Sequence, residues 1–238
     1  MKRLALALSL SCLVVVPAAA DELNQINVLT QAEFRQLSED LGSVLSYKAI
    51  LPAEPLNIAG FDVGASVTVS KIEHNTVWDR ANSGDTSSTV VVPKIFVHKG
   101  LPLGIDVGAF YSSVPDSNIS LWGAELRYAL VQGGVATPAL GLRATYSELS
   151  GVDQLEFNTK GLELTISKGF ANFTPYAGIG RVWVTSTAVG VPGIGKEDFG
   201  LNKYYVGGNF NLGIINLAVE GDKTGDVSSY GVKLGWRF

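Results

Sequence analysis

The chain has 238 residues, of which 18 are basic and 22 acidic, and its formal net charge is −4. This acidic balance argues against nucleic-acid binding, for which a basic stripe is expected. Hydrophobic residues make up 46% of the chain and charged residues 17%, yet no run of eighteen apolar residues exists, so the sequence predicts no membrane-spanning helix.

Residues 1–20 have the three parts of a Sec-type signal peptide. They are a basic start, Met1-Lys2-Arg3, an apolar run that ends at Val16, and a small-residue cleavage site that ends at Ala20. Cleavage after Ala20 would leave 16 basic and 22 acidic side chains, a net charge of −6. The only cysteine, Cys12, lies in the apolar run and poorly fits a lipidation site, so the mature chain is expected to have neither a disulfide nor a thiolate metal site.

The segment 21–57 differs from the rest of the chain and predicts a helix over 30–47. Thr30-Gln31-Ala32-Glu33 is a capping-box pattern, which satisfies free amides at a helix start. Pro52 and Pro55 would end any helix. Apolar residues recur at three- and four-residue steps and so form one stripe: Phe34, Leu37, Leu41 and Val44/Leu45.

From residue 58 onward apolar and polar residues alternate with a period of two, which is typical of β-strands with two different faces. In the first segment Phe61, Val63 and Val67 alternate with Asp62 and Ser66. We predict an antiparallel barrel of about ten strands, with eight or twelve as alternatives. The segments cover roughly 58–73, 88–99, 103–113, 119–131, 138–148, 155–168, 174–185, 199–211, 214–222 and 227–238.

Alternation alone fits a transmembrane barrel and also a soluble, lipocalin-like barrel whose apolar face points inward. Connections near 99–103, 131–138, 168–174 and 211–214 are short, while those near 74–87, 148–154 and 186–198 are longer and polar. This asymmetry is typical of bacterial outer-membrane barrels. Aromatic residues toward the strand ends are expected to form interfacial girdles: Trp122, Tyr128, Tyr146, Tyr176 and Trp236.

Charged residues on the second face also favour the membrane barrel. Glu125, Arg127, Arg143 and Glu163 would each cost several kcal/mol in an apolar core unless paired. A polar lumen removes that objection. The four residues stand at similar distances from the short turns, so we expect a lumen polar network. It would be either a set of ion pairs that fills a narrow barrel or the selectivity constriction of a pore.

The last strand, from Tyr230 to Phe238, resembles the C-terminal assembly signal of Gram-negative outer-membrane β-barrel proteins. Tyr230, Trp236 and Phe238 match that signal, whereas Lys233 stands where glycine is usual. The resemblance implies an outer-membrane barrel over 58–238 that the barrel assembly machinery inserts. Residence in that membrane implies outer-membrane lipids and lipopolysaccharide as further partners. No cofactor is implied, and the oligomeric state stays open.

Two weaker patterns could carry chemistry. His74-Asn75-Thr76 loosely resembles the His-x-Ser pair of lipid A deacylases, but Thr replaces Ser and no acid partner stands at a fixed spacing. His98 is expected at the opposite end of the first hairpin, so the histidines cannot share a metal. The acidic loop residues lack the spacing of a calcium loop: Asp79, Asp85, Asp116 and Asp153. We predict no catalytic residue and no metal site.

The sequence therefore predicts three regions: a signal peptide (1–20), an N-terminal helical segment (21–57) and an outer-membrane barrel (58–238). The helical segment is expected to plug the lumen, form a lid or lie in the periplasm. The expected role is envelope structural or that of a narrow pore, without enzymatic activity and with a plugged or weakly conducting lumen. The alternatives are a lipid-modifying enzyme and an adhesin that acts through the loops 74–87 and 186–198.

Overall fold

The fold is that of a computed structural model, which describes residues 23, 25–82, 87–114 and 118–238. Ten antiparallel strands close into one barrel in which sequence neighbours pair and β1 pairs with β10. The predicted ten-strand barrel is confirmed. The strands are β1 (Phe61–Lys71), β2 (Thr89–Gly100), β3 (Ile105–Ser113), β4 (Ser120–Gln132), β5 (Ala139–Ser150), β6 (Leu155–Ser167), β7 (Phe173–Ala188), β8 (Glu197–Leu212), β9 (Ile215–Thr224) and β10 (Val227–Arg237).

Several sequence predictions fall outside the described residues. These are the signal peptide 1–20 with Cys12, and the acidic loop residues Asp85 and Asp116. In the part of the chain that is described, no helix is both long and apolar enough to span a membrane.

The two ends of the barrel differ. At one end, here called the short-turn end, β1 begins, β10 ends and compact turns join β2 to β3, β4 to β5, β6 to β7 and β8 to β9. At the other, the long-loop end, lie the remaining five connections, among them the longest ones, between β1 and β2 and between β7 and β8. In outer-membrane barrels the short turns are periplasmic and the longer loops external.

The predicted N-terminal helix is confirmed as α1 (Gln31–Leu45). Thr30 and Glu33 form both hydrogen bonds of the capping box. A second helix, α2 (Asn75–Asn82), follows β1 in a region that the sequence suggested was only a polar loop. Its buried side chains, Val77, Trp78 and Ala81, span little more than one turn, which is too short a pattern to indicate a helix without the tertiary contacts that cover it.

One aromatic assignment was wrong. Tyr176, expected in the interfacial girdle, points into the lumen, where its hydroxyl donates to Glu220 at 2.9 Å. Gly207 on the neighbouring strand makes this possible, because a Cβ there would stand 2.4 Å from the Tyr176 ring. The far end of the ring therefore lies against a part of the wall that has no side chain.

Candidate functional site: the plugged lumen

Helix α1 lies in the long-loop half of the barrel and fills it with apolar side chains. The predicted stripe is buried there, with Phe34 and Leu37 fully inaccessible to solvent. It belongs to one hydrophobic cluster with residues of the barrel wall and of α2: Leu121, Leu149, Leu155, Phe157, Val182, Val184, Val77 and Trp78. This half of the barrel interior is occupied by packed apolar side chains.

Close approach of α1 to the wall depends on one glycine. A Cβ at Gly42 would stand 2.5 Å from Cγ2 of Val184, closer than van der Waals contact permits. Hydroxyl groups join the same surfaces: Ser38 Oγ donates to Ser186 Oγ at 2.9 Å, and Ser43 Oγ donates to the carbonyl oxygen of Thr224 at 2.8 Å. The helix is therefore fixed to the wall by packing and by buried hydrogen bonds.

Asp40 attaches α1 to α2. Its carboxylate accepts from the backbone N–H of His74, the ring Nδ1 of His74 and the indole Nε1 of Trp78, each at 3.0 Å. No acid partner for His74 could be identified from the sequence, and the fold supplies one from α1. Among the described residues no hydroxyl group forms a hydrogen bond with the other ring nitrogen of His74. These hydrogen bonds from His74 and Trp78 to Asp40, which we call the clamp, thus join the two helices.

A second contact between the helices lies at the outer surface. Arg80 forms an ion pair with Glu33 and donates to the carbonyl oxygen of Val28 at 2.7 Å. The hydrogen bonds from Thr30 are the main cause that holds the pKa of the Glu33 carboxyl below its ordinary value of 4.5, and Arg80 adds to this effect. Glu33 therefore stabilises the helix start and the contact with α2 in its charged form.

After α1 the chain runs extended through the lumen to the start of β1. Luminal side chains bind the backbone of this segment, residues 46–60, which we call the plug strap. Lys203 Nζ donates to the carbonyl oxygen of Tyr47 at 2.8 Å, and Arg127 Nη1 donates to that of Pro52 at 3.0 Å. Nearer the short-turn end the N–H of Leu56 donates to Asp106 at 3.1 Å. An extended chain without sheet partners obtains its buried hydrogen bonds from the barrel wall.

The plug strap also contributes a charge. Lys48 Nζ lies 2.8 Å from Asp222 Oδ1, and both side chains are almost completely buried. Ile50 takes a left-handed backbone conformation (φ 53°), which is unfavourable for a β-branched residue. Its side chain packs against Gly231, where a Cβ would be 2.6 Å from Ile50 Cδ1. The plug strap thus fits closely against the lumen wall, where the missing side chain of Gly231 leaves space for Ile50.

The four residues assigned to the lumen polar network lie in contact below α1. Arg143 Nη1 donates to Glu163 Oε2 at 2.9 Å, and Arg143 Nε lies 3.2 Å from Glu125 Oε2. Arg127 Nε lies 3.4 Å from Glu125 Oε1. The contacts to Glu125 lack hydrogen-bond geometry, so charge alone holds this carboxylate, whereas Glu163 accepts true hydrogen bonds.

Other members of the network were not assigned from the sequence. Asp106 accepts from Arg127 at 2.8 Å, Lys203 donates to Glu163 at 2.7 Å, and His98 Nε2 lies 3.4 Å from Glu125 Oε1. Lys203 is on the inner face of β8 because it alternates with the exposed Tyr204, but only the register between strands shows which charges meet. With Asp106 and Lys203 included, three cations face three carboxylates, so the network is neutral apart from His98.

A further buried ion pair joins β10 to β1, the two strands whose pairing closes the barrel. Lys233 Nζ donates to Asp62 Oδ2 at 2.6 Å between β10 and β1, and both side chains have no solvent exposure. No group of three or more His, Cys, Asp or Glu side chains in the described residues is arranged to hold a metal ion. Chemically, this lumen can pair charges and bind backbone. Most of its buried carboxylates contact cations of the same chain, whereas Glu220 accepts from the Tyr176 hydroxyl.

The outer surface of the barrel is apolar. Large hydrophobic side chains point away from the barrel on all ten strands, with exposures such as 64% for Ile95 and 65% for Val206, while charged side chains such as Glu163, Lys203 and Lys233 are buried inside. This is the reverse of a soluble barrel, and lipid is the solvent that such a surface requires. The chain folds as a β-barrel of the transmembrane type. In this barrel the predicted assembly-signal residues Tyr230, Trp236 and Phe238 all point outward, with exposures of 58–70%.

Comparison with solved structures finds outer-membrane barrels at low identity. The loop L8 deletion mutant of OmpT from Vibrio cholerae is 11% identical (TM-score 0.32); the match covers 62% of this chain and 54% of that one, about half its length. The KdgM porin in complex with oligogalacturonate is 10% identical (TM-score 0.37; 76% and 99% covered). Ail of Yersinia pestis is 12% identical (TM-score 0.28; 75% and 97% covered). No protein-family model and no curated protein matches the chain.

Proposed function

We propose that this protein has a structural role in the envelope. Its own N-terminal segment would close the barrel, so that it does not form an open pore. The observation that carries the proposal is the binding of the plug strap by the luminal cations Lys203 and Arg127, which donate to its carbonyl oxygens. A polar lumen that conducts ions presents its charges to water. Here most of the buried charges bind one another or the strap, and α1 fills the half of the lumen above them.

Planar-bilayer conductance tests this proposal. Wild-type protein should give no stable current steps. The double variant Leu37→Asp/Leu41→Asp places two carboxylates among the packed apolar side chains, where unpaired charges are strongly unfavourable, and should release α1 and produce channel openings. Heat-dependent mobility on gels would verify that both barrels are folded. Steady currents from the wild type would instead support the pore alternative.

The enzyme and adhesin alternatives have different tests. For the Asp40–His74 pair we propose a structural role, because the same carboxylate also binds Trp78 and the backbone at the start of α2. Loss of a lipid A modification in His74→Ala cells, with barrel levels unchanged, would favour a hydrolase. Loss of cell binding after deletion of residues 189–195 would favour an adhesin.

Export and insertion also belong to the proposal. Residues 1–20 would direct Sec export, and mass spectrometry of the mature protein should give Asp21 as its first residue. The outward row Tyr230, Trp236 and Phe238 would be recognised by the barrel assembly machinery. Deletion of Phe238 should reduce the amount of folded barrel in the outer membrane, while Phe238→Tyr, which keeps an aromatic end, should not.

A further inference from the structure

Three polar side chains form a row on the outer surface at the long-loop end. Ser228 on β10 is the direct cross-strand partner of Lys71 on β1 and of Lys223 on β9. Directly paired residues point to the same side of a sheet. Since neighbouring strands are about 4.8 Å apart, the backbones of the two lysines are about 10 Å apart with the serine between them. Both lysines are exposed.

This row lies where the apolar surface ends. From Phe61 to Lys71 the strand has 11 residues, and the outward ones before Lys71 are apolar. Ten steps of about 3.3 Å along a strand tilted by about 40° give a height of about 25 Å, which is the height of the apolar band of outer-membrane barrels. Tyr230, with 70% exposure, is the outward residue next to Ser228 on the membrane side.

Among the described residues, no acidic side chain forms an ion pair with the lysines of the row. Buried lysines such as Lys203, by contrast, do form ion pairs. The nearest exposed acids along the two strands, Glu73 and Asp226, follow the lysines on the side away from the membrane. Two free ammonium groups and a hydroxyl group thus stand at headgroup height.

We propose that Lys71, Ser228 and Lys223 bind a phosphate group on a phosphorylated lipid headgroup of the outer leaflet. Flexible lysine side chains from either side can converge on one phosphate, and charge-assisted hydrogen bonds to phosphate oxygens are among the strong ones. Ser228 would donate a third hydrogen bond, and the Tyr230 ring would lie at the boundary with the acyl chains. The inference rests on the outer-membrane insertion in the proposed function, with the long-loop end outside, but not on a closed lumen.

Native mass spectrometry of the folded barrel in neutral detergent tests the site, with bis-phosphorylated lipid A and its dephosphorylated form as probes. Wild type should retain the phosphorylated lipid, and Lys71→Ser/Lys223→Ser should bind it at least tenfold more weakly. Lys71→Arg/Lys223→Arg should keep binding. Lys160→Ser/Lys196→Ser removes two other exposed lysines of the same half and is the matched control, which should behave as wild type.

Equal binding by wild type and Lys71→Ser/Lys223→Ser would overturn the site, and so would equal binding of the two lipid A forms to the wild type. Excess inorganic phosphate distinguishes the two sources of the anion. Full displacement of lipid A by free phosphate would assign the row to the soluble anion and overturn the lipid assignment. A conducting wild-type barrel would contradict the proposed plug and leave these binding results unchanged.

Discussion

Lys203 joins the barrel wall to the plug strap: its Nζ donates to the carbonyl oxygen of Tyr47 at 2.8 Å and to Glu163 Oε1 at 2.7 Å. One ammonium group therefore neutralises a luminal carboxylate and holds the threaded chain. The strap and the ion network are for this reason a single structure. Disturbance of either one is expected to affect the other.

Lys203→Met tests how strongly this junction stabilises the fold. Removal of one partner of a buried ion pair leaves an uncompensated charge and typically costs about 3–5 kcal/mol. We expect a loss of that order in urea unfolding of the micelle-bound barrel. Lys196→Met is the matched control, because Lys196 pairs with Asp198 at the same 2.7 Å but both side chains are more than half exposed. Its effect should stay below about 1 kcal/mol, and equal losses would contradict the account.

Much of this architecture could be predicted from the sequence because strand alternation and helix capping are local signals. Thr30 and Glu33 mark the start of α1, and the positions of Glu125 and Arg143 in the alternation of their strands place both inside the barrel. Pairing partners could not be predicted in this way. The contact between Asp40 and His74 joins residues 34 positions apart, and the register that brings Arg143 to Glu163 depends on closure of the whole barrel.

Gly42 provides a test of how closely α1 packs against the barrel wall. A Gly to Ala change inside a helix usually stabilises it by up to about 1 kcal/mol. At Gly42 the sign should reverse, since the new Cβ would be 2.5 Å from Val184. Gly42→Val should lower stability further and expose the plug strap to protease. Gly195→Val, whose Cβ would be 3.5 Å from its nearest neighbour, should leave the protease pattern unchanged.

Asp40→Ala should separate the two helices at the long-loop end. The change leaves the indole N–H of Trp78 and the backbone N–H of His74 without their acceptor, and each buried unsatisfied donor costs about 1–3 kcal/mol. Trypsin should then cleave after Arg80 faster than in the wild type. Asp153→Ala removes an acid from a neighbouring loop and should not change the rate. An unchanged rate in Asp40→Ala would show that the clamp is dispensable.

Acid should loosen the second contact between the helices, in which Glu33 pairs with Arg80. The pKa of Glu33 is lower in the folded protein than its ordinary 4.5, so its contribution to stability is complete above that value and is lost as the pH falls through the folded pKa. We expect the hydrogen-exchange protection factors of the amides of residues 31–34, which correct for the intrinsic pH dependence of exchange, to decrease as the pH falls below 4.5. Glu33→Gln should remove this pH dependence. Wild-type protection factors that stay constant below pH 4.5 would disprove it.

A disulfide between α1 and the barrel wall tests most directly whether the N-terminal segment lies inside the lumen. Ser38 Oγ and Ser186 Oγ are 2.9 Å apart, and the described chain contains no cysteine that would compete. In Ser38→Cys/Ser186→Cys protein isolated from membranes, we predict a disulfide-linked peptide pair and no reaction with a maleimide. Two free thiols, both labelled in the folded barrel, would contradict the account, because α1 would then lie outside the barrel.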